Sequence, residues 1–187
     1  MGSTWDSLKD PSEVYDFWSI SRNKSVNELG VVKYLLQSLS VDASTLVRTE
    51  PNDPPDCVLE INAMKVGVEV VALIDERARK RSAKARRDKA SEVYAEWSKE
   101  SFQAALGNLV TEKGMKIHIG KANGKAASLC QKFWLVVHTD EFTLSSQYVQ
   151  NYVSGLKLGS NVFERKFLIL SYEPGGAGSG YPCFTLK

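Results

Sequence analysis

Residues 54–73, PPDCVLEINAMKVGVEVVAL, decide the fold and hold the most informative side chains of the chain. The apolar runs at Cys57–Ile61 and 66–73 predict two neighbouring strands joined by a short turn. Asp56 opens the first strand, and Glu69 interrupts the second. Because a carboxylate within a sheet is costly unless it is paired or binds a metal, a Mg²⁺ site is the leading explanation for the two acids.

Strands and helices alternate on both sides of this segment. The pattern predicts a helix over 26–39, a strand at 45–49, a long helix over 75–113 with a break at 98–101 or Gly107 and an end at Gly114, a short strand at 115–119, a loop at 120–125, a buried strand at 132–138, a helix over 145–156, a buried strand at 167–172 and an edge strand at Cys183–Leu186. This order predicts an α/β sandwich with a mixed sheet, in which the strand at 132–138 is central and parallel to a neighbour.

Composition is that of a globular protein that keeps its thiols reduced. The 187 residues are 43% hydrophobic and 25% charged, which fits one domain over 1–187. No apolar run is long enough to span a bilayer, so no membrane partner is expected. The three cysteines are odd in number, lie far apart and lack zinc spacing. They predict free thiols and a cytoplasmic location.

Positive charge is concentrated in residues 77–89. This segment has eight of the 24 Lys and Arg residues but one of the 22 acids, so the rest of the chain is net acidic. Such segregation favours contact with a polyanion, mainly through phosphates, although a solvated helix face is the alternative. The candidate nucleic-acid-binding residues are Arg77, Arg79, Lys80, Lys84 and Arg87.

The acids of the opening segment suit phosphodiester hydrolysis. Mg²⁺ (or Mn²⁺) prefers one or two carboxylates together with oxygen atoms from the backbone, water and phosphate. Asp56 and Glu69 would supply the carboxylates, and the backbone carbonyl of Val70 a further oxygen. Glu28, on the helix at 26–39, would reach the same cluster directly or through water.

At these residues the chain resembles the PD-(D/E)xK nuclease superfamily, whose core is restriction-endonuclease-like. Glu28 in the first helix, Pro55–Asp56 and Glu69-Val70-Val71 carry the resemblance, which covers about residues 25–140, with 141–187 extending that core. The resemblance implies an α/β/α sandwich and a divalent-metal-dependent nuclease with Glu28, Asp56 and Glu69 at its catalytic site.

One position departs from the family pattern. The family's lysine should stand two residues after the glutamate, where this chain has Val71. A valine cannot orient water or stabilise charge on phosphate, so either another element supplies the cation or the chain is not a nuclease. Lys113 is the favoured catalytic replacement. The other candidates are Lys116, Lys80, Lys84 and the polar Gln103.

Each acid also has a structural interpretation. Asp56 would fit a turn begun by Pro54–Pro55. Glu69 would fit an edge strand with one solvated face, and Glu28 would favour the dipole of a helix in its first turn.

Three functions are therefore compared. The first is a nuclease acting on nucleic acid, with DNA favoured over RNA. The second is a catalytically inactive nuclease-like domain that binds nucleic acid or a partner protein, which Val71 favours. The third is an interaction domain whose basic helix meets an acidic partner. A homodimer is an open alternative by analogy with nucleases that cut two strands.

Overall fold

Three α-helices, a short 3-10 helix at Ala126–Leu129 and six strands form the described part of the chain. The structure, a computed structural model, describes residues 24–50, 53–75, 96–141, 143–159, 162–171 and 181–187, with side chains from Glu28 onward. The elements in chain order are α1 (Lys24–Ser38), β1 (Val47–Arg48), β2 (Cys57–Ile61), β3 (Met64–Ala72), α2 (Lys99–Ala122), β4 (Lys132–Thr139), α3 (Ser146–Val153), β5 (Arg165–Leu170) and β6 (Cys183–Leu186).

The strands form one mixed sheet in the order β1-β2-β3-β4-β5-β6. Strands β1, β2 and β3 are antiparallel neighbours, β3, β4 and β5 are parallel, and β6 returns antiparallel at the edge. The predicted α/β class with a mixed sheet is confirmed. The prediction that the KFWLVVH run is central and parallel is also confirmed, because β4 pairs in parallel with β3 and with β5. Its apolar side chains are buried on both faces of the sheet.

Helices cover both faces of the sheet. Helix α1 packs its apolar stripe (Val31, Val32, Leu35 and Leu36) against one face, where Val68, Val70 and Val136 lie. Helices α2 and α3 pack on the opposite face with Leu135, Val137 and Leu168. Because side chains alternate along a strand, Glu69 lies on the α2 side while Val70 lies on the α1 side. The sheet is therefore the middle layer of an α/β/α sandwich.

The region after residue 98 corrects the sequence prediction. Ser98 caps α2 and accepts a hydrogen bond from Ser101 N–H, so the predicted boundary at 98–101 is right. Gly107 and Gly114 lie inside α2, and the strand predicted at 115–119 is wrong because this stretch is helical. Buried positions at Phe102, Leu106, Val110, Ile117 and Gly120 continue one helical face through Gly114. Packing on the sheet therefore outweighs the low helix propensity of glycine.

Smaller differences concern element ends. Strand β1 has two residues where five were predicted, and β5 begins two residues earlier than predicted. The predicted loop at 120–125 begins only after Ala122. Most of the predicted helix between residues 75 and 98, with the basic run, lies outside the described residues. No helix in the described ranges combines the length and apolar character needed to cross a bilayer.

His138 on β4 predicts an acid-sensitive contribution to stability. Burial lowers its pKa from 6.5 to about 4, so the folded chain resists protonation that the unfolded chain accepts. Between these values the unfolded state binds more protons, and the free energy of unfolding should fall as pH drops, by about 2–3 kcal/mol. His138→Gln should lose less stability than the wild type between pH 7 and pH 4 in urea titrations. Parallel losses in both proteins would contradict this prediction.

Candidate active site

The ladder between β2 and β3 stops where the site begins. Cys57 pairs with Val68 and Leu59 with Val66, so continuing the register by two residues sets Val70 opposite Pro55. Backbone groups of Leu73 face β4, because its N–H donates to the His138 carbonyl. By alternation the Val70 N–H and carbonyl face the β2 side. Pro55 has no N–H to donate, so it cannot pair with the Val70 carbonyl.

The Asp56 carboxylate takes the place of the Pro55 carbonyl as the acceptor for the Val70 N–H. Its Oδ2 accepts a hydrogen bond from the Val70 N–H at 2.7 Å. The Pro55 carbonyl, which would otherwise accept from this side, is bonded by the Thr49 hydroxyl. Asp56 therefore accepts a hydrogen bond from β3 and does not only cap its own turn. This bond fixes its carboxylate beside the Val70 carbonyl.

A buried ion pair joins β3 to α2. Lys113 Nζ lies 2.6 Å from Glu69 Oε1, and the two residues are only 7% and 3% exposed. Helix α2 brings this lysine onto the sheet because Lys113 sits on its buried face beside Gly114. A lysine thus reaches Glu69 from another element, on the side of the sheet where Val71 would have placed one.

Electrostatics show that one cation does not fully compensate the two carboxylates. Burial raises the pKa of Glu69, the nearby Asp56 raises it further, and Lys113 only partly offsets both effects. Burial opposes the charge of Lys113, but the nearby carboxylates, Glu69 foremost, together raise the pKa of the ammonium. Glu69 Oε2 is buried and has no hydrogen-bond partner within the described part of the chain. The site therefore favours an additional positive group.

These residues open into one pocket of about 510 Å³. Its lining residues are Glu28, Arg48, Asp53, Pro54, Asp56, Glu69, Lys113, Lys116, Ile119, Gly120, Asn123 and Lys125. Four carboxylates and four cations therefore face the same space. A pocket with both signs of charge suits a metal ion and an anionic substrate together.

Two glycines allow the loop before Asp56 to pack closely. A Cβ on Gly67 would lie 2.7 Å from Pro55 Cγ and 2.8 Å from the Phe133 ring. A Cβ on Gly120 would lie 2.8 Å from Pro54 Cγ. The loop is also held by the Ala127 N–H, which donates to the Pro54 carbonyl at 3.1 Å. Close packing on β3 and α2 therefore fixes the two residues that precede Asp56.

The structure brings together several of the residues singled out from the sequence. Glu28, Asp56, Glu69, Lys113 and Lys116 all line the pocket. Gln103 does not, since its side chain donates to the Tyr152 carbonyl at 2.6 Å. The candidate nucleic-acid-binding residues Arg77, Arg79, Lys80, Lys84 and Arg87 lie outside the described residues.

Two of the structural interpretations are wrong. Glu69 is not on an edge strand, because β3 pairs with β2 on one side and β4 on the other. Glu28 is not in the first turn of α1, which begins at Lys24 and has no acid there. Glu28 Oε2 instead lies 4.0 Å from Arg48 Nη2, and both residues line the pocket.

Sequence reasoning missed Arg48, Asp53 and Lys125. Asp53 Oδ2 accepts from the Ala126 N–H at 3.2 Å, and its Oδ1 lies 3.7 Å from Lys125 Nζ. These contacts join segments more than 70 residues apart, and no local motif marks them. The nearest signal was Asp53-Pro54-Pro55 itself, a rigid loop leading into an acid.

The described residues contain no group of three or more His, Cys, Asp or Glu side chains arranged to hold a metal. Any ion at this site would therefore depend on Asp56 and Glu69, with backbone and solvent oxygen completing its shell, a donor set that suits Mg²⁺. The chain matches no family model, no curated protein and no solved structure. What is established is an α/β fold with a mixed six-strand sheet and three helices packed on it.

Proposed function

We propose that this chain is a divalent-metal-dependent nuclease of the PD-(D/E)xK type, with the motif lysine displaced from β3 to α2. The observation that carries the proposal is the 2.6 Å contact between Lys113 Nζ and Glu69 Oε1. It supplies the cation whose absence at Val71 was the main argument against catalysis.

The donor set fits Mg²⁺ or Mn²⁺. Asp56 and Glu69 would hold the ion with their carboxylates, and the Val70 carbonyl, which Pro55 cannot bond, would add a third oxygen. The buried, unbonded Glu69 Oε2 supports this reading, because a buried acceptor without a partner is costly. When bound, the ion supplies Lewis acidity and lowers the pKa of a water molecule.

Residues of the chain would perform the remaining tasks. The Lys113 ammonium has three donors and gives one to Glu69, so it can also donate to an attacking water or a phosphate oxygen. The Val70 N–H keeps the Asp56 carboxylate in one orientation. Glu28, at the pocket wall, would position water while Arg48 balances its charge.

The proposed substrate is nucleic acid, with DNA favoured over RNA. The net positive segment at 77–89 supports this choice, because dense basic residues bind phosphates with little sequence preference. This segment follows β3 in the chain, and β3, which carries Glu69, ends at Ala72.

A second candidate function is a nuclease-like domain that binds nucleic acid without cutting it. One observation favours it: the Lys113 ammonium forms an ion pair with Glu69, so the acid has a counter-charge when no metal is bound. This domain would bind nucleic acid in a salt-sensitive way and would not bind Mn²⁺ at Glu69.

Mn²⁺ binding and cleavage together test the proposal. Wild type should bind Mn²⁺, measured as loss of the free-ion EPR signal, and should cut nucleic acid with Mg²⁺ or Mn²⁺. Glu69→Gln should lose both, because an amide replaces a ligand carboxylate without changing its size. Glu60→Gln, at an exposed position on β2, is the matched control and should retain both. Wild type that leaves every DNA and RNA substrate intact would falsify the nuclease, and unchanged Mn²⁺ binding by Glu69→Gln would remove the metal site.

A further inference from the structure

The pocket contains cations of two kinds. Lys113 is buried and hydrogen-bonded to Glu69. Three others, which we call the rim cations, are Arg48, Lys116 and Lys125. In the part of the chain that the structure describes, they form ion pairs at 4.0 Å (Glu28), 3.6 Å (Glu112) and 3.7 Å (Asp53), which is beyond hydrogen-bond length.

Loose pairs of this kind leave the rim cations available to a ligand. Surface ion pairs contribute about 0–1 kcal/mol, whereas a hydrogen bond between a cation and a phosphate is charge-assisted and stronger. The rim cations come from three places in the chain, namely β1, α2 and the turn after α2. An anion with several charges, such as a polyphosphate chain, could therefore contact more than one of them.

An exposed apolar side chain lies among these charges. Ile119 lines the pocket and is 59% exposed, and Met115, one turn earlier on α2, is 58% exposed. Lys116 lies between them in the sequence and also lines the pocket. Neighbouring apolar and cationic groups match a ligand that offers both phosphates and the apolar faces of its bases, whereas inorganic phosphate offers charge alone.

We infer that Arg48, Lys116 and Lys125 bind the phosphates on either side of the linkage held at Asp56 and Glu69, while Ile119 contacts a neighbouring nucleoside. The ligand class is thus a nucleic-acid strand that enters the pocket with unpaired bases, rather than a mononucleotide. The inference rests on the proposed function for the identity of the linkage, but strand binding itself needs neither metal nor turnover.

Binding without metal tests the inference. Anisotropy of a labelled single-stranded DNA oligonucleotide is measured in EDTA over a salt series for wild type, Arg48→Met, Lys116→Met and Lys125→Met. Methionine keeps the apolar stem and removes the charge. Each variant should bind about tenfold more weakly at low salt and should make the slope of log K against log salt shallower by about 0.7. Ile119→Ala should weaken binding without changing that slope.

Lys33→Met, at an exposed position on α1 outside the pocket lining, is the control for general charge and should match the wild type. The inference is overturned if the rim variants keep the wild-type slope, or if polyglutamate or inorganic phosphate competes as well as the oligonucleotide. It stands, and the nuclease proposal fails, if the slopes change as expected but no substrate is cut. Normal cleavage with unchanged slopes would sink the inference alone.

Discussion

Lys113→Met should lower the free energy of unfolding by about 3–5 kcal/mol and reduce nucleic-acid cleavage to background. The variant leaves the Glu69 carboxylate buried without its partner, and an uncompensated buried charge is strongly destabilising. It also removes the cation proposed to orient water. Urea unfolding and a cleavage assay with a fluorophore-quenched oligonucleotide measure the two effects separately.

A double variant distinguishes the structural role of the pair from its catalytic role. Glu69→Leu with Lys113→Met removes both charges, and replacing a buried ion pair by well-packed apolar residues of similar volume is often neutral for stability. The double variant should therefore recover most of the stability lost by Lys113→Met, yet remain inactive. A Lys113→Met protein of wild-type stability would contradict the buried pair, and an active double variant would contradict the site.

The deficit of Lys113→Met should also grow with pH. Burial raises the pKa of Glu69 above 4.5, and Lys113 is one of the groups that lower it, so the variant's carboxyl stays protonated to higher pH. A raised folded pKa stabilises the folded state fully below the unfolded pKa, and this stability is lost as pH rises through the folded pKa. Urea unfolding should be measured at a pH below the unfolded pKa and at a pH above the folded pKa of Glu69. The stability that Lys113→Met loses relative to the wild type should be larger at the higher pH.

The fold was predictable where periodicity was strong. Alternation in residues 66–73 set Glu69 and Val71 on one face of β3, and the apolar run at 132–138 identified the central strand. The prediction was wrong in α2, where Gly114 was expected to end a helix and residues 115–119 (MKIHI) were expected to form a strand. Only tertiary contact shows that Ile117 and Gly120 continue the buried face, and such contact cannot be read from local propensity.

The site was predictable only in its local part. Asp56 directly precedes β2 and Glu69 lies on β3, and because a short turn joins these strands, the proximity of the two acids followed from pairing. Lys113 lies 44 residues from Glu69, and its position depends on how α2 crosses the sheet. Arg48 lies on a two-residue strand that carries no motif. Long-range packing brings these cations to the pocket, and a single sequence does not show which distant segments pack together.

Gly120→Ala should impair the site although residue 120 carries no functional group. The added Cβ would meet Pro54 Cγ at 2.8 Å and Ala127 Cβ at 3.3 Å. A proline ring cannot rotate away, so the loop must shift, and overpacking of this kind costs about 1–3 kcal/mol. Asp56 lies two residues after Pro54. We therefore expect weaker Mn²⁺ binding and slower cleavage, in addition to lower stability.

A second substitution at the point of contact separates displacement of Asp56 from general damage to α2. Pro54→Ala removes the Cγ that the new methyl group would meet, so Pro54→Ala with Gly120→Ala should regain Mn²⁺ affinity that Gly120→Ala alone has lost. Gly107→Ala is the control on the same helix. Nothing lies within 4 Å of its added Cβ, so it should stabilise the protein by about 1 kcal/mol and leave Mn²⁺ binding unchanged. If Gly120→Ala binds Mn²⁺ like the wild type, or if Pro54→Ala fails to restore binding, the packing of Pro54 on Gly120 does not set the position of Asp56.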